Sequence, residues 1–429
     1  MTDHRHVVHV AFDDHFLDVD TLDVDNYDIT LLVDSYAAGR ISKSLLDRFA
    51  RVGVLKLPDG LGVEGYDQVV DQMIDLVKGF SEDFGPPAAV VGLFEYTTLP
   101  AARLREHFAV PGVDVGTALR FRDKVLMKQT LREVVPVPRF WPVGAATTAA
   151  ELTAIVSELP GKVVLKPTRQ AASIGVRLFD RGADLLQYAD AEGIQDGYEV
   201  EEFIEGTVCH VDGIVRDGRV LFLSAAEYFL GSCFTFQNSG VGPLASVTID
   251  DSALVRRIAD FTDRVLAALG LRDGSFHLEL FLTPSGDLVF LEIANRFGGE
   301  YISRHLKTVY GVDLVQESIA SCMDLPSAIE TPATHLELGT DRPGASGWIY
   351  CALSEKDRCR VRRVHGLDRI PSSVVFSETP DIGQLLNHEL GLAVASGRFI
   401  LTGASTASVK RDLRVISDVY SIDVEPDTP

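Results

Sequence analysis

Over the first hundred or so residues, short apolar runs alternate with helical patterns. HVVHVAF, DITLLVD and RVGVLKL are followed by the amphipathic YDQVVDQMIDLVKGF and then by AAVVGLFEY. That order predicts a small open parallel α/β layer, a type that binds ligands at the ends of its strands. The proline-punctuated VPVPRFWPVG reads as extended chain after this layer, and a boundary is placed near residue 120. From GKVVLKP to SCMDLP the pattern mixes hairpins with helices, an α+β arrangement. The last hundred residues carry short strands and glycine turns in ASGWIYCALS, CRVRRVHGL and SGRFILTGAS, as expected for a smaller β-rich C-terminal domain. The final DVEPDTP reads as disordered.

FHLELFLTPSGDLVFLEIANRFGGEY, residues 276–301, reads as two apolar strands about a turn, each interrupted by one acid, Glu279 and Glu292. With alternating side chains, His277, Glu279 and Phe281 share one face of the first strand, and Glu292, Ala294 and Arg296 one face of the second. If Pro284-Ser285-Gly286-Asp287 forms the turn, Glu279 and Glu292 stand opposite each other. Opposed side chains have Cβ atoms roughly 4.5 to 5.5 Å apart, where like charges repel. A positive group is therefore expected between them. A hard divalent cation such as Mg²⁺ suits two oxygen donors; a strand end fraying into solvent, or Arg296 acting alone, are the other readings.

Composition narrows the classes. A chain of 429 residues with 46% hydrophobic residues can bury a large core and hold several domains. A net charge of −22 without a basic cluster argues against nucleic-acid binding. Neither a cleavable leader nor a bilayer-length apolar run appears, so a cytoplasmic location is expected. The cysteines at 209, 233, 322, 351 and 359 are odd in number and lack C-x-x-C spacing, which predicts free thiols. No G-x-G-x-x-G follows the first strand, which weakens a dehydrogenase reading.

Residues 162–179 form a second predicted hairpin. Its small, polar tip ends in Ser173-Ile174-Gly175, where backbone N–H groups can approach phosphate oxygens beside Lys166. In FRDKVLMKQTLREV, Lys124 and Lys128 share a helix face. Solvated surface lysines remain the alternative for both segments. In YEVEEFIEG an extended chain can read a purine edge, with Phe203 and Ile204 against its face.

The ordered series R-D-K-x-x-M-K, V-x-L-K-P with a small-residue loop, E-E-F-I-x-G, H-x-E-L and E-I-x-x-R-x-G-G resembles the ATP-grasp superfamily. Within it the series is similar to carboxylate-amine ligases of the L-amino acid and D-alanyl-D-alanine ligase type. The resemblance implies an N-terminal pre-ATP-grasp domain over 1–120, an ATP-grasp domain over 121–330 with a lid at about 136–205, and a β-rich domain over 331–429. It implies ATP and Mg²⁺, or Mn²⁺, as cofactors. Lys124 and Lys166 would contact the phosphates, Ser173 and Gly175 would close over them, and backbone at Glu202 and Ile204 would read adenine. Glu279 and Glu292 would hold the metal, and Arg296 with Gly298 and Gly299 would hold the transferred phosphate and the carboxylate. The implied reaction joins an amino acid or other carboxylate to an amine through an acyl phosphate, with Arg296 and Lys166 catalytic. A homodimer is an open expectation, with no nucleic-acid or membrane partner. A purine-pathway or carboxylase-type enzyme and an inactive nucleotide-binding protein are the alternatives. Three positions depart from the family pattern: Ala294, Val208 and the Ala171-Ala172 pair, where the family often has Asn, a ribose-binding Glu and Gly-Ser.

Overall fold

The structure is a computed structural model describing residues 4–12, 17, 22–23, 26–58, 63–231, 234, 243–338, 342–353, 358–386 and 395–427. Cys233 and most of residues 227–242 lie outside the described residues.

Strands β1 (Arg5–Val10), β2 (Tyr27–Asp34), β3 (Arg51–Leu55) and β4 (Ala89–Gly92) form an all-parallel sheet in the order β3-β2-β1-β4. Helix α1 (Val70–Phe84) buries Val70, Met73, Val77 and Phe80, a helical-period stripe that packs on Val8, Val10 and Leu32. Full burial of such side chains contributes about 1.5–3 kcal/mol each. Helix α2 (Thr98–Phe108) follows β4 on the way to α3 (Lys124–Leu131). The N-terminal layer therefore matches the alternation in the sequence.

A second sheet contains β5 (Phe140–Val143), β6 (Val163–Pro167), β7 (Arg177–Phe179) and β8 (Tyr198–Glu202), antiparallel in the order β5-β8-β6-β7. The extended VPVPRFWPVG segment supplies β5, and Pro142 is tolerated there because β5 is an edge strand. Helices α4 (Ala149–Ser157) and α5 (Gly182–Glu192) cover this sheet through Leu152 and Leu185.

The central sheet holds β9 (Thr207–Arg216), β10 (Arg219–Phe229), β11 (Leu244–Thr248), β12 (Gly274–Leu282) and β13 (Leu288–Ala294), with the short β14 (Ala333–Thr334) beside β10. It continues into β15 (Ala345–Ala352), β17 (Val374–Glu378) and β19 (Ala395–Gly403), in the order β13-β12-β9-β10-β11-β15-β19-β17. Helices α6 (Ser252–Leu269), α7 (Glu300–Tyr310), α8 (Leu314–Cys322) and α9 (Thr406–Val419) pack against it.

Strands β16 (Cys359–His365), β18 (Leu385–Leu386) and β20 (Ser421–Pro426) make a three-stranded sheet. The last of these corrects the sequence reading of DVEPDTP as disordered for residues 423–427; residues 428–429 lie outside the described residues. Val424 packs with Cys359, Val361 and Leu386, and Asp427 pairs with Arg358 at 2.7 Å and Arg360 at 2.8 Å. Cys209 and Cys351 are buried free thiols, Cys322 is a half-buried one, and Cys359 is buried. Among the described residues no helix is long and apolar enough to cross a membrane.

Candidate functional site

The hairpin of β12 and β13 places Glu279 opposite Glu292, as the sequence predicts, but by a different route. Leu282 pairs with Leu288, so the connection is the five residues Thr283 to Asp287, with Gly286 at φ +86. The register then shifts by one at a bulge beyond Leu280–Phe290, and the shift restores the glutamate pair. Each acid has its own cation. Lys124 Nζ lies 3.1 Å from Glu292 Oε2, and His277 Nε2 lies 3.6 Å from Glu279 Oε1. Opposition of the two carboxylates therefore does not by itself require a divalent ion, and Arg296, whose charge also feels Glu292, does not act alone.

Lys124 opens α3. Asp123 caps the helix, accepting from the N–H groups of Val125 and Leu126, and also takes Arg169 Nε at 3.1 Å. The Lys124 N–H donates to Thr168 O, and its ammonium donates to Gln170 O at 2.6 Å. This brings the 168–176 loop over the cleft lined by Glu95, Lys124, Gln170, His277, Glu292 and Arg296. In the loop, Ala172 and Ser173 are left-handed (φ 53 and 57), as is Gly175 (φ 75). A Cβ on Gly175 would stand 2.8 Å from Pro167 Cγ. Two consecutive non-glycine residues in this region store backbone strain.

Arg296 is fastened from the N-terminal layer. Its Nε donates to Glu95 Oε2 at 2.7 Å, and Arg122 donates to Glu95 Oε1 at 2.6 Å. Burial pushes the Glu95 carboxyl up, but Arg296, Arg122 and Lys124 outweigh it and hold it at about 2. Glu95 and Arg122 were not singled out from the sequence, although Arg122 opens the R-D-K motif.

Below the cleft, Lys128 and Lys166 share Glu199 and Glu201. Lys128 Nζ donates to Glu199 at 2.6 Å and to Glu201, and Lys166 Nζ donates to Glu201 at 2.9 Å. All four are essentially buried. Burial lowers Lys128 and raises Glu199. For Lys166 the carboxylates Glu201, Glu199 and Glu292 outweigh burial and raise it. The solvated-lysine alternative thus fails for Lys124, Lys128 and Lys166. Lys166 is turned into this cluster, with its charge felt by Glu292.

A second polar chain supports Glu279. Asp212 accepts from His210 Nδ1 at 2.6 Å and from His277 Nδ1 at 2.8 Å, and His210 Nε2 meets Ser246 Oγ at 2.6 Å. Burial opposes the charge on His277, but Asp212 and Glu279 raise it to about 10. His210, Asp212 and His277 have ligand atoms within 4.8 Å of one another. Those atoms already bond each other, so the three act as a scaffold. The i, i+2 spacings His210/Asp212 and Glu199/Glu201 were the available signals for both clusters.

Among the remaining predicted residues, Gly298 is a contact position: a Cβ there would overlap Asp212 Oδ1 and stand 3.0 Å from His277 Nδ1. Gly299 is the N-cap of α7. Glu202 ends β8, and Arg139 holds its carboxylate through Nε and Nη2, both at 3.1 Å. Ile204 is half-buried in the following segment. Ala294 lines the cleft, whereas Asn295 lines a neighbouring cavity.

A family model for the ATP-grasp domain matches residues 159–304, so the chain carries an ATP-grasp domain. It is similar to the L-arginine-specific L-amino acid ligase of Bacillus subtilis, 27% identical over 269 residues, covering 58% of this chain and 62% of the relative. It is also similar to the alanine–anticapsin ligase of Bacillus subtilis, 24% identical over 314 residues, covering 66% and 64%. The chain thus spans a little under two thirds of the length of these two curated relatives. The crystal structure of an L-amino acid ligase from Bacillus licheniformis superposes with a TM-score of 0.72 over 98% of both chains at 17% identity, which establishes the ATP-grasp fold.

Proposed function

We propose that the protein is an ATP-dependent ligase that joins a carboxylate, in the first instance an amino acid, to an amine, giving an amide with ADP and phosphate. The observation that carries this reading is the meeting of Lys124 with Glu292 at 3.1 Å, opposite Glu279, in the cleft that also holds Arg296. Ammonium, carboxylate and guanidinium groups on one wall suit a nucleotide triphosphate, its metal and a carboxylate substrate. The relatives named as amino acid ligases support the same substrate class.

Two carboxylates with oxygen-only donors fit a hard cation. Mg²⁺ or Mn²⁺ held by Glu279 and Glu292 would supply charge neutralisation at phosphate oxygens. The chain's own residues position and shield. Lys124 and Lys166 place positive charge beside the phosphates. The 168–176 loop with Ser173 and Gly175 excludes water, which protects an acyl phosphate from hydrolysis. Arg296, fixed by Glu95, orients the carboxylate whose oxygen attacks the γ-phosphate; the amine then displaces phosphate. Backbone at Glu202 and Ile204 reads the adenine, and the Gly298-Gly299 turn receives the substrate.

Incubation with ATP, Mg²⁺ and pooled amino acids, with mass spectrometry for condensed products and hydroxylamine to trap the activated acyl group, tests the assignment. Amino-acid-stimulated phosphate release with a hydroxamate is expected. Stimulation by bicarbonate alone would point to carboxylase-type chemistry, and ATP binding without turnover on any substrate would sink the ligase reading.

A further inference from the structure

Beside the cleft lies a second cavity whose wall includes Gly92, Arg105, Gly112, Asn295, Arg296 and Ser321. Arg105, on α2, is only 6% exposed. Its guanidinium donates to Val90 O at 2.6 Å and Val113 O at 3.5 Å, and contacts Cys322 Sγ at 3.6 Å. Two of these partners are backbone carbonyls and the third is a cysteine sulfur. Among the described residues Nε has no hydrogen-bond partner and no carboxylate lies within 4.0 Å of this guanidinium. Asp273, a carboxylate on the same wall, is engaged elsewhere: it accepts the Asp217 N–H at 3.0 Å and stands 3.7 Å from Arg216 Nε.

Arginine stays protonated in proteins, so Arg105 is a buried full charge facing only dipoles. Such a charge calls for an anion, and the open space beside it is where one fits. Gly112 keeps the backbone close to this group: at φ +132, a Cβ would stand 2.9 Å from Arg105 Cδ and 3.0 Å from Nε. Asn295 and Ser321 add neutral polar groups to the wall, and the fork of a guanidinium matches a carboxylate.

We propose that this cavity is a carboxylate-binding site anchored by Arg105. Resting on the ligase reading above, its occupant is the carboxylate of the amine-bearing amino acid. A ligase that joins two amino acids meets two carboxylates and must activate only one. Arg296 forms part of both walls, so a molecule held by Arg105 sits behind the guanidinium that faces the reacting acid, with its own carboxylate kept away from the Lys124 side of the cleft.

The site is tested first without any chemistry, by thermal unfolding of the full chain in acetate against chloride at equal ionic strength. A saturable rise of the midpoint in acetate is expected for the wild type, absent in Arg105→Gln and reduced in Arg105→Lys, which keeps the charge but not the fork. Equal midpoints in the two salts, or the same rise in Arg105→Gln, overturn the site. The occupant is tested by kinetics. Arg105→Gln should raise KM for the amine-bearing amino acid about tenfold or more, with about twofold change or less for the corresponding amino acid amide. Equal effects on acid and amide overturn the assigned occupant. A wild type that forms no hydroxamate removes the ligase reading and this occupant together, while the unfolding comparison still decides the site. If Arg105→Gln does not fold, Arg105→Lys is read by the same two criteria.

Discussion

Arg296 and Glu95, 201 residues apart in the chain, are joined by a 2.7 Å hydrogen bond from Nε to Oε2. Glu95 follows β4 of the N-terminal layer and Arg296 follows β13 of the central sheet, so this bond sets the guanidinium across the boundary between two sheets. Glu95→Gln should keep the fold and lower kcat/KM for ligation by about 10- to 100-fold, through loss of orientation at Arg296. Unchanged kinetics in a folded variant would remove Glu95 from the site.

The same pair sets a pH dependence. The Glu95 carboxyl is held at about 2 against an ordinary 4.5. A depressed carboxyl stabilises the fold above its unfolded value, and that contribution is lost as pH falls toward the folded value. The contribution is roughly 3 kcal/mol, present above about pH 4.5 and lost between there and about pH 2. Denaturant titrations at stepped pH should show a shallower acid loss for Glu95→Gln than for the wild type; parallel curves would contradict the assignment.

Lys128 offers a stability test. With Lys128→Met, Glu199 and Glu201 would share Lys166 alone in a buried setting, and removing one partner of a buried ion pair costs about 3–5 kcal/mol. A urea midpoint equal to that of the wild type would show that the cluster reorganises without cost.

Glu292→Ala should leave circular dichroism intact and reduce Mg²⁺-dependent ATP turnover by at least about 100-fold, because the variant loses one of two proposed metal ligands and the partner of Lys124. Normal turnover with an unchanged Mg²⁺ requirement would be fatal to the metal assignment.

Gly298→Ala would push a methyl group into Asp212 and toward Ile302 Cδ1, 2.8 Å away. Overpacking of this kind costs about 1–3 kcal/mol. A lowered thermal midpoint together with reduced turnover is expected, since Asp212 holds His277 and His277 holds Glu279. A variant as stable and active as the wild type would show that the turn relaxes freely.

Local patterns carried much of this architecture. The parallel layer followed from alternating apolar and amphipathic segments, and the Glu279–Glu292 opposition followed from strand alternation. The latter succeeded only because two departures cancel: the turn is one residue longer than expected, and a bulge near Leu291 takes up the difference. Long-range pairings were not legible. Nothing local to Lys128 announces Glu199, 71 residues away, and nothing near Asp427 announces Arg358 and Arg360. Lysines for which solvation was the alternative reading are buried because acids from a later strand meet them. Residues 423–427 order because Val424 finds an apolar patch supplied by β16 and β18.

The unbroken hydrogen-bonded ladder from β13 through β12, β9, β10, β11 and β15 to β19 and β17 has a mechanical consequence. Shearing the C-terminal strands away from the glutamate hairpin would rupture several rows of backbone bonds at once, so a hinge there is disfavoured. On the proposed ligase reading, the part expected to move is the smaller β5-β8-β6-β7 sheet, whose tether to the remainder includes the Lys128 ammonium on Glu199 and Glu201.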